Sequence, residues 1–452
     1  MRKAAASAAD SSAAAFRTIP SVERILSTPS FVSLASEFGR DRVKESVSAH
    51  LASLRETRSA WDEKAAAAEV GSALRTRTSP ALRRVINATG VIIHTNLGRS
   101  PIDSKLWSDA AGVIGGYANL EFDLQSGERG KRDELLTSLC RTLFGCEAAI
   151  LTNNNAAAVL LLLSAIAPKK EVVVSRGELV EIGGGFRVPD VIQQGGARLH
   201  EVGTTNRTRA RDYAAAVSKK TGAILRVHRS NFDIVGFTET PSVDELVAVA
   251  RSRQVPLLYD EGSGRVVDLS AYGFSQAPLL RELIASGVDA VTCSTDKLIG
   301  STQGGLILGR EDIIDRCRRH PLMRALRAGK ESYAITGETL RAFATGTYET
   351  TVSIYRMLST SIDELKRRAE QIVGQSAARV VESRAVLGGG TTPTETMPSV
   401  AIAIDGDANR LYERFLALPI PIAGRVADDA FILDLRTVLP DDVATVAEAL
   451  KE

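Results

Sequence analysis

The sequence predicts an α/β fold: a large, mostly parallel sheet domain, a smaller C-terminal α+β domain and a small helical N-terminal domain. Three observations carry this. The chain has 452 residues, 44% apolar and 24% charged, which is globular composition with room for two or three domains. From Arg84 onward, short β-branched or apolar runs alternate with helical stretches of about 10–15 residues, the texture of a parallel sheet covered on both faces. Before that point the apolar residues recur only at helical spacing.

Residues 18–57 read as short amphipathic helices. Ser21 caps one that carries Glu23 in its first turn, and Val43, Val47, Leu51 and Leu54 line another. Ser59 to Thr78, rich in Ala, Glu, Arg and Ser, fits a helix or a linker, and Pro80 marks a boundary. A helical domain is therefore expected over 1–83. The predicted strands of the next domain, 84–340, are Ala148–Leu151, Glu171–Val174, Ala223–Val227, Val255–Tyr259 and Val288–Thr292. Ala156–Ala167 and Val243–Arg253 are helical patterns between them. The last domain, 341–452, should hold one long helix from Ser353 to Val373 and the glycines Gly388-Gly389-Gly390. Its predicted strands are Ser399–Ile404 and Ala430–Leu435.

The net charge is +2, but residues 1–86 carry 14 basic and 9 acidic residues, leaving 42 basic against 45 acidic elsewhere. A basic head on a slightly acidic body suggests that the head meets a polyanion. Cys140, Cys146, Cys293 and Cys317 form neither a disulfide framework nor a C-x-x-C pair, so buried, reduced thiols are expected, as in the cytoplasm. The first sixteen residues lack the apolar core of a secretory signal and read as a frayed tail. The longest apolar run, Ala156 to Ala167, is far short of the roughly 20 residues of a membrane helix. Walker, dinucleotide-binding, zinc-protease and α/β-hydrolase motifs are all missing from the sequence, which disfavours those chemistries.

Ser294-Thr295-Asp296-Lys297 follows a buried-strand pattern and precedes the small-residue loop Gly300-Ser301-Thr302-Gln303-Gly304-Gly305. A lysine at a strand end can be desolvated and bond an aldehyde cofactor. Alone, the motif is equally a surface lysine. Val255–Tyr259 runs into Asp260-Glu261-Gly262-Ser263-Gly264, placing a carboxylate at another strand end. Pyridoxal phosphate needs both groups, a lysine for its aldehyde and an acid for its ring nitrogen. Leu151-Thr152-Asn153-Asn154-Asn155 leads a strand into an apolar helix, whose N-terminus suits a phosphate. Asn155 reads equally as cap or ligand, and Asn231 equally as a turn residue or a donor to the phenolic oxygen. The expected cofactor-binding set is Lys297, Asp260, Asn154, Asn155, Ser294, Asn231 and Ser263.

Eight longer segments resemble bacterial selenocysteine synthases, the L-seryl-tRNA(Sec) selenium transferases. They are residues 83–101, 117–132, 151–163, 175–190, 202–209, 294–300, 320–327 and 388–399. Residues 19–31 resemble, more loosely, the tRNA-binding domain of true synthases. The resemblance implies a type I PLP-dependent transferase fold with Lys297 carrying the cofactor. It implies β-elimination on serine esterified to tRNA(Sec), giving dehydroalanyl-tRNA, then selenium addition from selenophosphate. Lys297 would remove the Cα proton, and Asp296 is the expected acid for the departing hydroxide. Arg99, Arg324 and Arg327 match the family's anion-binding arginines. Without the family, the last two read as a solvated helix face. With it, their spacing of three puts them together on one face. The resemblance also implies a homo-oligomer, at least a dimer and in bacterial members a ring of five dimers. Two departures stand out: Glu261 where an apolar residue is usual, and Ser301-Thr302 in place of Gly-Pro. A PLP-dependent lyase of a small phosphorylated or hydroxylated amino acid would leave residues 1–86 without work. A silent RNA-binding scaffold would not keep both Lys297 and Asp260.

Overall fold

The structure is a computed structural model that describes residues 20–57, 59–275, 277–392 and 394–451; the expected frayed tail lies outside them. The chain divides into two compact units, with the break between Arg84 and Val85.

The first unit is helical: Val22–Leu26, Pro29–Phe38, Arg40–Thr57 and Glu63–Thr78. Ser21 caps the first helix, its hydroxyl accepting from the Arg24 amide. The Ala-rich stretch is helix rather than linker because Asp62 Oδ1 accepts the Ala65 amide at 2.7 Å. Phe31, Val43, Val47, Leu51, Val70 and Leu74 form the centre of its own core. Each buried side chain of this kind contributes about 2 kcal/mol.

The second unit is built on a seven-stranded sheet. Its order is Ala148–Thr152, Gly305–Gly309, Ala290–Ser294, Leu257–Gly262, Thr221–Val227, Glu171–Ser175 and Arg198–Val202. Only Gly305–Gly309 runs antiparallel to its neighbours. Both faces are covered, which explains the continuous apolar runs. Ala149 and Leu151 enter one core cluster, while Ala148 and Ile150 enter the other. The C-terminal ends of the parallel strands therefore share one edge, the usual place for a ligand in such sheets.

A five-stranded sheet follows, ordered Arg425–Ala427, Ala430–Asp434, Met397–Asp405, Arg379–Gly388 and Val91–Ile93. The Arg379–Gly388 strand was absent from the sequence reading, its pattern masked by charged residues on the exposed face. Val91–Ile93, placed by sequence with the large domain, pairs with that strand, and Ile86–Asn87 pairs with Ile422–Ala423. The expected boundary at 340/341 falls inside the helix Lys330–Ala344, whose buried face continues through Leu340 to Phe343. The single long helix expected from Ser353 is two, Ser353–Ser359 and Ile362–Val373. Thr360 turns its hydroxyl back onto the Arg356 carbonyl at 2.6 Å, and Ser361 caps the second helix through the Glu364 amide. The four cysteines are buried and unpaired. Among the described residues no helix is long and apolar enough to cross a membrane.

Candidate active site

The strand ends of the large sheet surround a cavity of about 240 Å³ whose wall includes Lys297, Asp260, Asn154, Asn155, Ser294 and Arg99. Lys297 follows the Ala290–Ser294 strand and is buried. The turn that carries it is tightly bonded: Thr295 donates its amide to the Gly304 carbonyl at 3.0 Å and its hydroxyl to the Thr302 carbonyl at 2.6 Å. The Ser301 hydroxyl pairs with that of Thr336 at 3.0 Å, a buried polar contact that fixes the loop after the lysine. Burial pushes the Lys297 ammonium below its ordinary range, and Arg99 pushes the same way against Asp260, Glu261 and Asp296.

Asp260 sits on the adjacent strand. Both of its donors land on Oδ1, Asn155 Nδ2 at 2.8 Å and Thr292 Oγ1 at 2.9 Å, leaving Oδ2 for a further donor. Burial raises its carboxyl, while those two bonds and Lys297 oppose the rise. The helix Asn155–Ile166 begins beside it. Here the choice left open at Asn155 resolves: Asn154 is the cap, accepting the Ala157 amide at 2.8 Å, and Asn155 holds Asp260. The Asn155 Oδ1 is buried without a partner. Gly305 lies so close that a Cβ there would stand 2.2 Å from the Asn154 carbonyl oxygen. A carboxylate short of one donor, an orphaned amide oxygen and a desolvated amine around one cavity fit pyridoxal phosphate.

Arg99 reaches the cavity from a strained turn. Gly98 and Arg99 both have positive φ, +88° and +63°, and the non-glycine residue costs about 1 kcal/mol. The Arg99 guanidinium donates to Asp296 Oδ2 at 2.7 Å, and the Asp296 carbonyl accepts the Ser100 amide at 3.2 Å. Asp296 Oδ1 is buried and unpartnered.

Residues 85–439 match the family model described as L-seryl-tRNA selenium transferase. The chain belongs to that family. Residues 16–55 match a second model, selenocysteine synthase N terminal. An L-seryl-tRNA(Sec) selenium transferase of Geobacter sulfurreducens is 44% identical, covering 97% of this chain and 99% of the relative. One of Shigella flexneri is 42% identical over 93% and 95%. Among solved structures, D-glucosaminate-6-phosphate ammonia-lyase has a TM-score of 0.61 at 22% identity, covering 83% of this chain and 96% of that one. The expected architecture, the type I fold of PLP-dependent transferases, is the one observed.

For a selenium transferase, the remaining predicted residues are placed unevenly. Asn231 is exposed and outside the cavity wall, because its amide donates to the Glu181 carbonyl at 2.8 Å. Ser263 is buried on the far side of its turn, its hydroxyl donating to Glu261 rather than to the cavity. Arg324 and Arg327 do not share a helix face. The helix Leu322–Leu326 ends before Arg327, whose backbone is extended and whose guanidinium lies 2.9 Å from Glu121. Arg324 is exposed. Burial resists it, but Arg132, Arg327 and Arg129 hold Glu121 below the usual carboxylate range.

Three polar residues of the cavity wall carry no role in the sequence analysis: His228, Ser230 and Gln303. Burial pushes the His228 imidazole below its ordinary range, against a hydrogen bond with the Thr391 backbone. A lone histidine at the end of the Thr221–Val227 strand was the signal available for it.

Proposed function

We propose that this protein converts L-seryl-tRNA(Sec) to L-selenocysteinyl-tRNA(Sec), with pyridoxal 5'-phosphate held on Lys297 and selenophosphate as the selenium donor. The observation that carries the reading is the desolvated Lys297 beside the Asn155-braced Asp260, in a chain that matches selenium transferases along almost its whole length. The bound cofactor supplies an electron sink for the Cα–H bond electrons of the seryl group.

This chain's residues do the rest. Asn154 and the helix N-terminus at Asn155 receive a phosphate, and Ser294 lines the same wall. Asp260 would accept a hydrogen bond from the protonated ring nitrogen on its spare oxygen and so keep that nitrogen charged. Lys297, favoured as a neutral amine by burial, removes the proton from the seryl Cα. Asp296, one residue away and paired with Arg99 through Oδ2, has its Oδ1 unpartnered; a proton taken up there from water is the one it would give to the hydroxide leaving Cβ. The elimination leaves a dehydroalanyl ester; the selenium of selenophosphate then adds to Cβ while Cα regains a proton, and water cleaves the selenium–phosphorus bond, releasing phosphate and leaving the selenol. Arg99, Arg324 and Arg327 are the cations for selenophosphate, with Arg327 leaving Glu121 to reach it.

The helical unit, built on its own core and matching the selenocysteine synthase N-terminal model, is the tRNA-binding part of this reading. Its affinity for tRNA, dominated by phosphates, falls steeply with salt. The chain works in the cytoplasm as a homo-oligomer, at least a dimer. The deciding test mixes PLP-loaded protein with seryl-tRNA(Sec) and selenophosphate, using seryl-tRNA(Ser) as control, and identifies the esterified amino acid by mass. Selenocysteine on tRNA(Sec) alone is expected. No conversion by cofactor-loaded protein would overturn the reading in favour of a small-substrate lyase.

A further inference from the structure

Glu261 is a buried acid next to Asp260 that the proposed reaction leaves unused. It follows Asp260 at a β-bulge, where the pairing with Ala290–Ser294 skips from Asp260 to Gly262, and its neighbours Tyr259, Cys293 and Tyr355 belong to the core cluster on the face away from the Asn155–Ile166 helix. A carboxylate buried there needs partners. It finds them in the turn just beyond: the Ser263 hydroxyl and the Gly264 amide, the latter at 2.5 Å.

That turn abuts the lysine segment on two sides. The Ser263 carbonyl accepts the Leu298 amide at 3.0 Å, one residue past Lys297. Gly264, at φ +76°, packs so tightly that a Cβ would lie 2.7 Å from the Ser294 carbonyl oxygen and 3.0 Å from Ile299. The turn is thus wedged between the residues before and after Lys297. The charged and titratable neighbours of Glu261 are Lys297, Arg265, Asp260, Tyr259, Cys293 and Tyr355. Those around the lysine are Arg99, Asp260, Glu261, Asp296, Cys293 and His228.

We propose that Glu261 is a positioning residue for Lys297: its carboxylate locks the Gly262–Gly264 turn under the lysine segment and sets a second negative charge near the amine, across the strand from Asp260. The proposal rests on Lys297 being the cofactor lysine. That is checked separately, because wild-type protein without the visible absorbance of a lysine-bound cofactor would refute the parent reading before any variant is made.

The experiment titrates that absorbance with pH in the full-length, PLP-loaded chain and measures cofactor affinity for Glu261→Gln and Glu261→Leu. The glutamine keeps both partners, accepting from Gly264 and donating to Ser263, and removes only the charge. Its affinity should stay within about threefold of wild type. The midpoint of its titration should fall by about half a unit or more, because the protonated nitrogen at Lys297 has lost a nearby anion. The leucine removes the lock as well, and affinity should drop about tenfold or more. A glutamine midpoint equal to wild type overturns the electrostatic half of the proposal. Wild-type affinity in the leucine variant overturns the positional half. If the leucine variant does not fold, Ser263→Ala, which removes the hydroxyl on Glu261, takes its place and should weaken affinity by about threefold or more. An unchanged affinity would count against the lock.

Discussion

The two halves of the cavity wall are finished to different degrees. On the cofactor side the groups are braced from within the chain: Asn155 and Thr292 on Asp260, Asn154 on its own helix, the Thr295 and Ser301 bonds around Lys297. Of the three arginines proposed for selenophosphate only Arg99 reaches the cavity, and it is engaged with Asp296. Arg327 is tied to Glu121 and Arg324 faces solvent. On the proposed reaction, the difference follows from the ligands. A resident cofactor rewards preorganisation, because its binding groups need never rearrange between turnovers. A donor that must enter and leave at each turnover is better met by cations that are held on a carboxylate until it arrives.

The contrast breaks most completely at Lys297. Lys297→Ala should abolish the visible absorbance of the bound cofactor and lower turnover by about a thousandfold or more. Retained turnover with added PLP would remove the lysine from the mechanism. The arginine side should fail differently. Replacing Arg324 and Arg327 together by alanine should leave dehydroalanyl-tRNA formation intact and cut selenium transfer by about a hundredfold. Loss of the elimination step instead would assign those arginines to tRNA or cofactor. Next in size is Asn155→Ala, which leaves Asp260 with Thr292 alone. Losing one bond to a charged group should weaken PLP affinity about tenfold, read by equilibrium titration.

What could be read without coordinates follows the same division. Lys297 and Asp260 were legible because each ends an apolar strand, a local pattern that burial enforces. The start of the helix Asn155–Ile166 was legible for the same reason. The role of Asn155 was not, because its partner lies 105 residues away and only strand pairing brings them together. Arg324 and Arg327 were misread as one face because the helix stops at Leu326, before the periodicity argument can apply. Asn231 and Ser263 carried the right chemistry, but their donors were already committed to Glu181 and Glu261. Strands of two or three residues such as Ile86–Asn87 are too short to leave a pattern, which is why the first residues after the head were assigned to the wrong layer.

The smallest expected effect sharpens the comparison in the protein without cofactor. A lysine whose folded pKa lies below the ordinary value of 10.5 binds its proton less well when folded than when unfolded. Protonation then favours unfolding. The penalty is full below the folded pKa and fades as the pH climbs toward the ordinary lysine value. Lys297→Met, similar in length but uncharged, should therefore raise the melting temperature of cofactor-free protein by about 2 °C near pH 8. The gain should shrink as the pH approaches 10. A gain of constant size across that range would mean that packing, not the desolvated amine, is the source. A variant less stable than wild type at pH 8 would mean that the neighbouring carboxylates already compensate the charge. Equivalent replacement of Arg324, exposed and outside the buried cluster, should move the melting temperature at neither pH.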